Sequence, residues 1–176
     1  MANIEDVFAA MEQLENFISL KRGDVFDNAR ALIDTLYPTG VRGPVQIDEI
    51  DELETSLSMT FQSDYHQFLR IYGFAMWFGG TVFGIPPVSG SNVESYNDSV
   101  LDNTMYKKKQ DVELRNILID SAVIGRDDFG GYFVLYSQTL GNEHAVEHIV
   151  KEGRWIAIEQ WISFTDYLSF SVQNSK

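Results

Sequence analysis

The strongest constraint on the fold lies in residues 50–73, which read IDELETSLSMTFQSDYHQFLRIYG. Ile50, Leu53 and Leu57 recur at three and four residues, as do Tyr65, Phe68, Leu69 and Tyr72, the spacing of one buried helical face. Phe61, Gln62 and Ser63 break the pattern, so two short helices must turn sharply against each other. Asp48 or Asp51 is placed to cap the first, Ser63 caps the second, and Gly73 ends it. Charge then vanishes: residues 71–93 contain no Asp, Glu, Lys or Arg. Such a run is long enough to raise the question of a membrane span. It is punctuated by Gly73, Gly79, Gly80, Gly84, Gly90, Pro86 and Pro87, which suits a buried hairpin of Met76-Trp77-Phe78 and Thr81-Val82-Phe83-Gly84-Ile85 far better.

Two further amphipathic helices are predicted upstream, one carrying Ile4, Val7, Phe8, Met11, Leu14, Phe17 and Ile18, the other capped by Asp24 and stopped at Tyr37-Pro38-Thr39-Gly40. Downstream, residues 89–103 read as a loop with a short helical turn near 100–106. Residues 117–124 and Tyr132-Phe133-Val134-Leu135-Tyr136 form a strand pair around the turn Arg126-Asp127-Asp128-Phe129-Gly130-Gly131, and a further strand covers 145–150. Ser163 caps a last helix with Asp166 in its first turn. Helices, then strands, then a closing helix give an α+β class: a largely antiparallel central sheet with helices packed on one side, plus an N-terminal helical extension. The expected division is an extension over residues 1–40 and a main domain over 45–172.

Acidic side chains outnumber basic ones 26 to 13, for a formal charge of −13. That charge opposes direct contact with nucleic acid or an anionic membrane and favours basic protein partners. The chain has no cysteine, which excludes a disulfide framework and thiolate metal sites. MANIEDVFAA lacks the features of a secretory signal, so the expectation is a cytoplasmic protein.

Catalytic motifs do not converge. Walker A and GxSxG patterns are absent, and Gly79-Gly80 with Gly84 has neither the spacing nor the following helix of a dinucleotide fingerprint. Glu143-His144-Ala145-Val146-Glu147-His148 is not HExxH and falls outside a predicted helix. Lys107-Lys108-Lys109 reads as a solvated loop. The expectation is a chain that is no enzyme and needs no metal or other cofactor.

The order of Ile50, Leu53, Glu54, Leu57, Phe61, Tyr65, Phe68 and Leu69 resembles the signature of the SUKH superfamily, the Smi/Knr family of immunity proteins and cell-wall regulators. Two positions depart from it: Ser58 stands where the pattern has glycine, and Gln62 where it has proline. The Thr81–Ile85 run resembles the family's central strand, Ile124-Gly125 through Tyr132-Phe133 its hairpin, and Ser163-Phe164 with Tyr167-Leu168 its closing helix. The resemblance covers about residues 45–172. It implies a protein-binding fold. Bacterial members are commonly immunity proteins that bind a cognate toxin domain, often a nuclease, and block its active site; fungal members are regulatory scaffolds. The implied partner is thus a basic toxin domain, with a scaffold role as the alternative. Candidate contacts are Asp48, Glu49, Asp51 and Glu52 around the first helix, Trp77, and Asp127 with Asp128 at the hairpin turn. Each has a plainer reading: capping and solvation for the first four, burial for the tryptophan as for Trp155 and Trp161, and turn formation for the aspartate pair. Glu54, at a motif position, is expected to make a structural hydrogen bond.

Overall fold

The computed structural model describes residues 42–77, 80–86 and 99–173, with backbone alone at 76, 77, 80, 172 and 173. The helices expected within residues 1–40 lie outside these.

Helix α1 (Ile47–Leu57) buries Ile50, Leu53 and Leu57. Its N-cap is Gln46, not Asp48 or Asp51: the Gln46 backbone N–H donates to Glu49 Oε2 at 3.2 Å, fixing the first turn two residues earlier than an Asp48 cap would. The helix ends at Ser58, whose backbone is left-handed with φ 57° and ψ 42°. This is the geometry that favours glycine, and it is the position where the family pattern has one.

Helix α2 (Ser63–Tyr72) buries Tyr65, Phe68, Leu69 and Tyr72 as the spacing predicts. Its N-cap is Gln62, with Ser63 already helical. Gln62 has a φ of −57°, which a proline would also adopt, and its side chain donates to the Tyr136 carbonyl at 3.2 Å. The bond gives this departure from the pattern a structural purpose. Glu54 Oε1 accepts the Phe61 N–H at 2.5 Å, the structural bond expected of it, and so closes the turn between the helices.

The uncharged run forms a short antiparallel hairpin, β1 (Ala75–Trp77) and β2 (Gly80–Val82). It is not the centre of the sheet. It lies at the outer edge of the main sheet, joined through the Phe83 N–H to the Ile124 carbonyl at 2.7 Å. Beyond it, Gly84 passes so close to the end of α2 that a Cβ would stand 1.8 Å from the Gly73 carbonyl oxygen.

The short helical turn expected near 100–106 is a full helix that begins at residue 100 and runs to 110. Helix α3 (Val100–Gln110) is capped by Ser99, whose Oγ accepts the Asp102 N–H at 3.1 Å, and the three lysines occupy its last turn, where positive charge suits the helix dipole. Its stripe is faint because the core positions are Val100 and a polar Thr104, whose hydroxyl accepts the Val123 N–H at 2.9 Å. Asp111 caps α4 (Val112–Ile117), so the strand expected from 117 begins at 121.

The main sheet has the order β3-β4-β5-β6, all antiparallel, from β3 (Ser121–Arg126), β4 (Tyr132–Tyr136), β5 (Val146–Glu152) and β6 (Arg154–Trp161). The last strand escapes sequence reading because it is a mostly exposed edge with little alternation. Side chains alternate across the sheet. Phe133, Leu135, Val146, His148 and Trp161 share one face by register, and Tyr132, Val134, Glu147 and Trp155 the other.

Helix α5 (Phe164–Gln173) packs on the first face, with Tyr167 against Phe133 and Trp161. Ser163 Oγ accepts the Asp166 N–H at 3.0 Å, the cap the sequence predicts. Asp64 of α2 accepts from both the N–H and hydroxyl of Thr165, and Phe164 packs against Tyr65 and Phe68, so α2 and α5 close one core. On the other face the α3–α4 corner reaches over β5 and β6, where Asp111 Oδ2 accepts from Lys151 Nζ at 2.6 Å and Trp155 Nε1 at 3.0 Å. Those two donors, with the Leu114 N–H, hold the Asp111 carboxyl far below the usual carboxylate range. The architecture is α+β on an antiparallel sheet.

Candidate interaction surface

The α1 acids divide into those engaged by a described cation and those with no ion pair among the described residues. Glu49 pairs with Arg42, Oε1 to Nη2 at 2.7 Å, and that bond together with the Gln46 N–H lowers its pKa. It secures the chain's entry into the domain, where the Arg42 and Gly43 N–H groups both donate to the Tyr72 carbonyl. Asp48, Asp51 and Glu52 are exposed, and no described cation pairs with them. The flank of α1 bearing Glu49 and Glu52 borders a small groove shared with Ser99 and Leu101 of α3. The same first turn of α3 places Asp102 in a second, open groove of about 740 Å3 beside the hairpin tip, lined also by Asn103, Tyr106, Lys107, Arg126 and Asp128.

At that tip Asp127 and Asp128 have different surroundings. Asp127 Oδ1 accepts the N–H groups of Phe129 and Gly131, each at 2.7 Å, as a turn former should. Its Oδ2 meets His148 Nε2 at 2.7 Å, and His148 Nδ1 meets Glu159 Oε2 at 3.3 Å. Burial alone would raise the Asp127 pKa, but the Gly131 N–H, His148 and the Phe129 N–H outweigh it and the net shift is downward. The His148 ring stacks on Phe133 at 4.5 Å. Asp128 projects into solvent without a partner among the described residues. Phe129 beside it is 96% exposed.

Trp77 ends β1 opposite Gly80, and its side chain lies outside the described atoms. The other two tryptophans are packing residues, Trp155 against Tyr132 and Trp161 against Phe133, Tyr167 and Phe170. The cluster at 143–148 splits: His148 turns to the α5 face, while Glu147 turns to the opposite face, accepting from Tyr136 and Gln160 at 2.7 Å each. Among the described residues no group of three His, Asp or Glu side chains is placed to hold a metal, and no helix is long and apolar enough to cross a membrane. Sequence reasoning missed Phe129 and the link from Asp127 through His148 to Glu159. The link joins residues far apart in the chain, and its last member, Glu159, lies on a strand that was not anticipated. An aromatic at a turn between two aspartates and two glycines was the one available signal.

These features define a class: an α+β domain whose distinctive groups lie at its surface, on one helix flank and one hairpin tip. The model of the SMI1 / KNR4 family (SUKH-1) matches residues 44–169, and the chain belongs to this family. No curated protein matches the chain.

Proposed function

We propose that this chain is a cytoplasmic immunity protein that binds a cognate bacterial toxin domain and neutralises it by stoichiometric contact, without catalysis or cofactor. Membership of the SUKH-1 family is consistent with this role. The observation that carries it is the set of exposed carboxylates left unpaired by the described cations, Asp48, Asp51, Glu52 and Asp128, in a chain of charge −13. A nuclease-type toxin must hold phosphate, so its cleft is basic, and an acidic surface fills such a cleft while raising the association rate. Expression of the chain together with a candidate toxin gene from its own locus tests the reading. Survival of the host and a one-to-one complex support it; continued killing with no complex overturns it.

A further inference from the structure

The tip of the β3–β4 hairpin carries the most exposed large apolar side chain among the described residues, Phe129 at 96%. A lone exposed apolar residue needs no explanation, but this one stands on a built support. The Asp127 carboxylate accepts the Phe129 and Gly131 N–H groups, the half-buried Asp127 is clamped by His148, and His148 is held by Glu159 and by the Phe133 ring. Gly131 completes the clamp, since a Cβ there would lie 2.5 Å from Asp127 Oδ2 and 2.8 Å from His148 Nε2. Three strands thereby fix the backbone of a turn whose phenyl ring makes no aromatic contact among the described residues.

We propose that Phe129 is the anchor by which this chain engages its partner, inserting into an apolar pocket of the toxin domain whose rim is basic. The assignment rests on the immunity reading. Aromatic anchors dominate binding energy when their pocket excludes water, and a turn held in place before contact loses little conformational freedom on binding. The charge of the whole chain, −13, selects a basic occupant. Asp128 is adjacent to the ring, exposed and without an ion pair among the described residues, so a cationic rim meets a carboxylate as the ring enters. The groove beside the tip also carries Asp102, Arg126 and Lys107, and Lys107 is already engaged with the Tyr132 ring at 4.7 Å. A second copy of this chain would bring like charge to like, which disfavours self-association through the tip.

Calorimetric titration of the full chain with a candidate toxin domain encoded in its own locus tests the assignment. Phe129→Ala is expected to weaken binding by about tenfold or more, and Phe129→Leu to recover most of it, with unfolding midpoints unchanged because the ring is exposed. Wild-type binding with Phe129→Ala within about twofold of it overturns the anchor and leaves the immunity reading standing. Wild-type failure to bind the toxin overturns both. Loss of a homodimer in Phe129→Ala, seen by sedimentation, with toxin affinity unchanged, also overturns the anchor.

Discussion

The left-handed backbone at Ser58 makes a prediction that runs against the usual direction of mutation. Its φ of 57° and ψ of 42° cost an L-residue roughly 1–2 kcal/mol, a penalty glycine does not carry. Ser58 is exposed, and its cap role is played by backbone, through its own N–H to Thr55 and the Met59 N–H to the Glu54 carbonyl. Replacing its side chain therefore loses no described bond. Against the gain stands the greater freedom of glycine in the unfolded chain, about 0.4–1 kcal/mol. Ser58→Gly should stabilise the domain by about 0.5–1 kcal/mol, which is about 1–4 °C in Tm for a chain of this size. Ser58→Ala is the control, removing the hydroxyl while keeping the Cβ, and should bring no gain. Urea unfolding resolves the two, read as a shift in midpoint at constant slope. Equal stability of the glycine and alanine variants, or a loss in the glycine variant, would refute the argument from backbone strain.

Glu54→Ala removes the acceptor of the Phe61 N–H and should cost about 1.5–3 kcal/mol in the same assay, while Glu54→Gln, which keeps an oxygen in place, should cost less than half as much. Thr104→Val leaves the buried Val123 N–H without its partner, a loss of about 1–3 kcal/mol, and should speed amide exchange along β3. The Asp127 carboxyl has a lower pKa folded than unfolded, so the stability it contributes is present above the unfolded value near about 4 and is lost as pH falls through the folded value. Asp127→Asn should therefore flatten the loss of stability below about pH 4, measured by acid titration of the circular dichroism signal.

Long amphipathic periodicity made the core helices legible. Ile50, Leu53, Leu57, Tyr65, Phe68, Leu69 and Tyr72 are all buried as their spacing requires, and the Ser163 cap and the hairpin around Asp127 follow from local chemistry. One helix was legible only as a short turn and two elements were hidden, for identifiable reasons. Helix α3 uses Thr104 at a core position, where the hydroxyl serves a strand edge and blunts the apolar stripe. Helix α4 is six residues long and merges with the apolar run at Ile117-Leu118-Ile119, which fits helix or strand equally. Strand β6 is an exposed edge, and its tryptophans gain their burial from tertiary contacts that no local pattern announces. Of the candidate contacts, Asp48, Asp51, Glu52 and Asp128 stand exposed with no ion pair among the described residues, Glu49 is engaged by Arg42, and Asp127 is engaged by its own turn and His148. Sequence spacing reveals which acids exist. Whether each is already held depends on partners as distant as His148, supplied only by the fold.

Neutralisation by contact through an acidic surface, as proposed, is read from the activity of a candidate toxin domain encoded in the same locus as this chain is titrated in. Loss of activity complete at equimolar protein is expected, with association slowing as salt is raised and slowed further in the Asp51→Asn, Glu52→Gln double variant. Full toxin activity at a molar excess of the chain would contradict it.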